Sequence, residues 1–229
     1  MQPEIRLSSN TADLAEIQNK VLRNTYLMLS LTMIPTVIGA YLGMSISFAF
    51  MAQHPVMSML GMLAVMFGMF MGIAANRNNA LGIVLLLATT GLFGLMLGPV
   101  LQAALHFSNG AQLIAMAAGG TGAIFFTLAT IATVTKKDFS FMGKFLMVGL
   151  VMLILASLAN MFFQIPVASL AISAISIMIF SGYILYDISQ IIHGGETNYV
   201  MATLAIYLDI YNIFVNLLNL LMALAGNRD

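Results

Sequence analysis

Apolar residues fall in seven long blocks along this chain, and polar residues gather in the short gaps between them. Reading for runs of about 20 residues, the length an α-helix needs to cross a bilayer's hydrocarbon core, places spans at 25–48, 56–75, 80–105, 112–135, 143–163, 167–192 and 199–225. The gaps hold turn formers: Gln53-His54-Pro55, the asparagines at 76, 78 and 79, Ser108-Asn109-Gly110, Lys136-Lys137-Asp138, Gln164-Ile165-Pro166 and His193-Gly194-Gly195. No gap is long enough for a soluble domain. The pattern predicts an all-α integral membrane protein with seven transmembrane helices, residues 1–24 forming a cytoplasmic tail and 25–229 a single membrane domain. The seventh span is the most polar, holding Asp209, Asn212, Asn216 and Asn219, so a re-entrant last segment with six full crossings stays open.

Composition strengthens this picture: of 229 residues, 61% are hydrophobic and 7% charged, against about 25% charged in a soluble domain. Net charge is zero and the charges are scattered, which gives no basic patch for nucleic acid. The absence of cysteine excludes disulfides, thiolate metal sites, catalytic thiols and palmitoylation. Glu4, Asp13 and Glu16 interrupt the first 24 residues, which therefore do not read as a signal peptide.

Lys and Arg are retained on the cytoplasmic side of a membrane protein. With the amino terminus inside, Arg6, Lys20, Arg23, Arg77, Lys136, Lys137 and Lys144 all fall at cytoplasmic ends and only Arg228 falls outside. The carboxyl terminus is then external. Gly91, Gly94 and Gly98 in the third span and Gly119, Gly120 and Gly122 in the fourth predict close helix packing. Gly98-Pro99 predicts a kink, and the 20 Met residues read as packing filler.

Two acidic residues lie deep within spans, Asp187 and Asp209. Each costs roughly 2.5 to 3.5 kcal/mol at mid-membrane on an insertion scale. The sixth and seventh spans are antiparallel, and residue 198 between them is eleven positions from each aspartate, so the two sit at similar depth. Asp187 lies about five residues, or ~7 to 8 Å, from its helix end, which puts the pair near the cytoplasmic side. At 100° per residue, Asp209, Asn212, Asn216 and Asn219 share about 80° of one helix, and Ser173, Ser176, Tyr183, Asp187 and Gln190 about 100° of the other. These stripes predict a buried polar seam or a water-filled path.

Two close carboxylates in low dielectric cannot both ionise freely; they share a proton and titrate as a unit, which makes a pH sensor. Fully ionised, they are hard oxygen ligands suited to Ca²⁺. The alternative is a purely structural, hydrogen-bonded pair. Arg77 is a candidate counter-ion, its other reading being a topology determinant. His54, His106 and His193 fall in connections on differing sides and read as solvated loop residues. Asn160 and Gln164 bond across helices or sit at the interface. No H-E-x-x-H, G-x-S-x-G or P-loop is present, and no nucleophile and base stand at a recognisable spacing. An enzyme is not expected.

The segments Y-I-L-Y-D at 183–187 and Y-L-D-I-Y-N-I-F at 207–214, with K-D-F-S-F-M-G at 137–143, resemble the Bax-inhibitor (TMBIM) family. V-L-R-N-T-Y at 21–26 and I-I-H-G-G-E-T-N-Y at 191–199 make the chain most similar to its bacterial branch. The resemblance covers nearly the whole chain. It implies a seven-helix fold with the last helix central, in the bacterial cytoplasmic membrane, and a pH-sensitive Ca²⁺ or cation leak controlled by Asp187 and Asp209. It also implies a partner, the membrane-anchored ATP-dependent protease FtsH, with this chain its modulator and slow substrate. Arg77 lies only near the place of a basic cluster in some relatives. A proton-coupled transporter is a further alternative, without a convincing inverted repeat.

Overall fold

The computed structural model describes the backbone of residues 3–49 and 53–226, and their side chains from Glu16 onward except that of Pro55. The cationic groups of Arg6 and Arg228, used above to orient the chain, lie outside that description. Helices take up almost all of the described chain: α1 (Pro3–Ser45), α2 (Pro55–Ala75), α3 (Ala80–Met96), α4 (Gly98–Leu105), α5 (Gly110–Thr135), α6 (Gly143–Phe163), α7 (Pro166–Ile192) and α8 (Tyr199–Gly226), with a 3₁₀ turn at Ser140–Met142. In lipid a backbone must satisfy its own hydrogen bonds, and the helix does so within one segment. Seven helical stretches are long and apolar enough to cross a membrane, α3 and α4 together making one of them.

Three prolines punctuate this order where their missing N–H costs least, while Pro35 lies inside α1. Pro55 and Pro166 open α2 and α7, and Pro99 in the first turn of α4 marks the break after Leu97. Here the Gly98-Pro99 kink is visible as two helical pieces. The first helix departs from expectation at both ends. It runs unbroken through the expected boundary between residues 24 and 25, and it stops at Ser45 rather than 48. Val21 packs in the core beside Leu29 and Thr25 is fully buried, so the bundle begins well before residue 25. The Gln102 amide closes the other end, donating to the carbonyls of Gly43, Met44 and Ile46 at 3.3, 3.0 and 3.0 Å, where a helix terminus leaves carbonyls short of intrahelical partners.

α8 is the axis of the bundle, packing on α1, α2, α3, α4, α5 and α7. Its Tyr207 is buried: the hydroxyl donates to the Thr90 carbonyl at 3.2 Å and lies 2.9 Å from Thr36 Oγ1. The Phe93 ring meets Tyr207 and Tyr211 edge-on, at centroid distances of 5.9 and 4.8 Å. Along α1 and α3 the contact is backbone against backbone. A Cβ on Gly94 would fall on the Thr36 carbonyl, with the Thr36 carbon at 2.8 Å, and one on Gly98 would lie 2.5 Å from the Gly43 oxygen. The α5 glycines differ among themselves. Gly120 faces Leu217, whereas a Cβ at Gly119 or Gly122 meets nothing within 4 Å, so close packing does not account for those two.

Candidate functional site

All of the described Lys and Arg side chains, Lys20, Arg23, Arg77, Lys136, Lys137 and Lys144, sit at one end of the bundle, near the start of α1 and the loops at 76–79, 136–142 and 193–198. Into this basic end α7 and α8 bring Asp187 and Asp209. The connection between them is short and tied down. The Asn198 side chain accepts from the backbone N–H groups of Val200 and Met201 at 3.0 and 3.1 Å, starting α8, while its Nδ2 donates to the Arg77 carbonyl and to Asn78 Oδ1. The other flank is the 136–142 segment. Phe139 N–H donates to Ser189 Oγ at 2.9 Å, Gln190 Nε2 donates to Ser140 Oγ at 3.2 Å, and Gly143 is pressed against the Tyr186 ring. Hydrogen bonds from the Ser140 hydroxyl and then its backbone N–H, with His193 nearby, hold the exposed Asp138 carboxyl below its usual range.

Held in this way, the carboxyl groups of Asp187 and Asp209 lie close enough to interact directly. Asp209 is only 4% exposed, and its Oδ2 is fully buried with no hydrogen-bond partner. Asp187 is the outer member. It lines a cleft of about 220 Å³ with Tyr186, Gln190, Gly195 and Glu196, floored by Met201, Ala202 and Ala205 of α8. A contact between two carboxyl oxygens is attractive only if a proton or a cation lies between them, because two bare carboxylates repel. An arrangement of this kind suits a proton or a cation held between the two groups. The larger cavity, about 970 Å³, lies elsewhere, as an apolar cleft between α1 and α5 that neither aspartate lines.

The other residues singled out in the sequence are placed unequally. Tyr183 sits one turn before Asp187 and within electrostatic range of both carboxyls. Asn212 and Asn216 turn their amides back to their own helix, donating to the carbonyls of Leu208 and Asn212 at 2.8 Å each. Asn219 is half-buried two turns further on, and Ser173 and Ser176 are buried in the far half of α7. Beyond the Asp187–Asp209 contact, no side-chain hydrogen bond joins the α7 stripe to the α8 stripe among the described residues. Arg77 is exposed, and what this position gives the site is its backbone carbonyl, which accepts from Asn198. His193 and His106 fold back on backbone carbonyls of their own helices, at Ser189 and Gln102. Asn160 does bridge two helices, donating to Ser169 Oγ at 2.7 Å and accepting from Ile165 N–H at 3.0 Å. Among the described residues no group of three or more acidic or histidine side chains is placed to hold a metal. The pair alone falls short of the six to eight oxygens that Ca²⁺ takes.

Sequence reasoning overlooked Glu196. It is half-buried at the cleft mouth, its Oε1 accepts the Asn198 N–H at 2.7 Å, and its charge bears on Asp187. Its signal was an acid inside the Gly-Gly turn that joins the two aspartate-bearing helices.

The family model described as inhibitor of apoptosis-promoting Bax1 matches residues 18–227. The chain belongs to the Bax-inhibitor family. Among its relatives, the modulator of FtsH protease YccA of Escherichia coli K12 is 43% identical over 205 residues, covering 89% of this chain and 90% of that protein. A protein of Escherichia coli O6:H1 named inner membrane protein YccA matches with the same identity and coverage. An uncharacterized protein of Pseudomonas aeruginosa is 38% identical over 228 residues, 100% of this chain and 99% of that one. The Bax-inhibitor membership and the seven apolar helices together make this an all-α, multi-pass membrane protein.

Proposed function

We propose that this protein is a non-catalytic regulatory protein of the bacterial inner membrane that modulates, and is slowly degraded by, a membrane-anchored ATP-dependent protease of the FtsH kind. The observation that carries this reading is the likeness, over nine-tenths of both chains, to a protein named for modulating that protease. The start of α1 is where a pulling enzyme would begin. It leads into the bundle from one side only, whereas every other segment at the basic end is tethered at both sides. Because Val21 and Thr25 belong to the core, the informative deletion removes residues 2–15 and no more. Its lifetime in cells containing the protease is expected to lengthen severalfold. A deleted form degraded as fast as the full chain would contradict the mechanism.

On this reading the basic end is cytoplasmic, since retention of Lys and Arg sets orientation, and the seventh crossing puts the carboxyl terminus outside. Alkaline phosphatase fused after residue 229 is expected to be active, and fused at the amino terminus inactive. An inactive carboxyl-terminal fusion would favour six crossings with a re-entrant last segment.

A second role is compatible with the first and rests on a different observation, the buried contact between Asp187 and Asp209 with its unpartnered oxygen. We propose that this pair is a pH-responsive gate on a path for Ca²⁺ or another cation, with Tyr183 beside it and Asn212, Asn216 and Asn219 continuing the polar face of α8. A proton and a cation compete for the same oxygens, so cation binding tightens as pH rises.

A further inference from the structure

The cleft outside Asp187 is formed by the end of α7, the 193–198 loop and the first turns of α8. Three features set it apart from an ordinary polar surface. Its acid, Glu196, comes from the loop, and that loop is fixed: the N–H groups of Gly195 and Glu196 both donate to the Gln190 carbonyl, at 2.8 and 3.1 Å, and Glu196 Oε1 accepts the Asn198 N–H. Among the described residues no Lys or Arg is ion-paired with Glu196, although this end of the bundle is the basic one. Behind Asp187 stands Asp209, whose buried Oδ2 has no partner. The loop acid and Asp187 thus line the same cleft, and the unpartnered oxygen belongs to the buried carboxyl that Asp187 contacts.

The volume states the kind of occupant. At about 220 Å³ the cleft has room for several waters at ~30 Å³ each, and among the described residues no three acidic or histidine side chains are placed to ligate one bare metal ion. A divalent cation that keeps part of its water shell matches both facts, since carboxylate walls attract it while waters fill its remaining positions. Loss of the whole shell is then deferred to the aspartate pair. We propose that this cleft is a cation-collecting vestibule, in which Glu196 and Asp187 hold a partly hydrated divalent cation at the mouth of the Asp187–Asp209 pair. The inference deepens the cation-path reading and rests on it for its purpose, but not for its test.

The chain has seven tyrosines and no tryptophan, and Tyr186 lines the cleft. Tb³⁺ bound there will emit on excitation of tyrosine, which reports occupancy without any transport. Purified full-length protein in detergent is expected to show this emission, and Ca²⁺ is expected to quench it by competition. Glu196→Gln keeps the acceptor for Asn198 N–H and removes only charge, so the fold is retained, and the half-saturating Tb³⁺ concentration should rise about tenfold. Glu196→Asp should restore most of the binding. Equal Tb³⁺ binding by wild type and Glu196→Gln overturns the vestibule, as does the absence of tyrosine-sensitised emission from the wild type. Ca²⁺ entry into liposomes separates the two claims: emission lost in Glu196→Gln while wild-type protein passes no Ca²⁺ upholds the vestibule and rejects the path behind it.

Discussion

Replacing Gly94 by Val is expected to leave little folded protein. The α1–α3 contact has no side chains to repack at this point: a Cβ at 94 lands on the Thr36 carbonyl, with Thr36 carbon and Cα at 2.8 and 2.9 Å. Overpacking a side-chain core costs typically about 1 to 3 kcal/mol because neighbours shift. Here the neighbour is helix backbone, and Thr36 is also hydrogen-bonded to Thr32, Thr90 and Tyr207, so a displaced α1 strains its anchor on α8 as well. The cost is expected to exceed that range, a large share of a total stability of about 5 to 15 kcal/mol. The measurement is the monodisperse yield and Tm of detergent-purified protein, with Gly119→Val as its control. A Cβ at Gly119 meets nothing within 4 Å, so that variant should match wild type. Equal behaviour of the two variants would refute the backbone seam.

The second large effect concerns the carboxylate pair. Asp187→Asn and Asp209→Asn each replace one member by a neutral group of the same shape, and each should flatten the pH dependence of cation flux, because the remaining carboxyl no longer titrates against a partner. Ca²⁺ binding should weaken as well, since it follows ligand charge. The two variants should act alike although one residue lines the cleft and the other is buried behind it. Unlike pH profiles would mean that the residues act separately; unchanged profiles would return the pair to a structural, hydrogen-bonded role.

The helices were legible because the bilayer imposes one length and one composition on each of them. Hydropathy is silent where packing decides. It placed the first span's start at residue 25, yet Val21 is in the core, and the helix continues through Arg23 because nothing in its sequence breaks it. Periodicity aligned Asn212, Asn216 and Asn219 with Asp209, but a shared face does not say what a side chain bonds to, and two of these amides satisfy their own backbone. The glycines of α3 and α4 and those of α5 look the same in sequence. Only the structure shows that Gly94 and Gly98 meet the backbone of α1 while Gly119 and Gly122 face open space. Arg77 stood near the pair in sequence terms, and the contact its position makes with the site is through its carbonyl, which accepts from Asn198. Glu196 was hidden for a related reason: a loop acid carries no penalty that draws attention to it, and its value comes from the fold that closes the loop over Asp187.

The central claim is that Asp187 and Asp209 act together as a proton-responsive control on cation passage. Ca²⁺ entry into liposomes holding the purified full-length protein tests it most directly, followed from about pH 6 to pH 8, the range in which a carboxyl pair sharing a proton in a dry site can switch. The account predicts flux that changes steeply across this range. Flux that is absent, or equal at every pH, would contradict it.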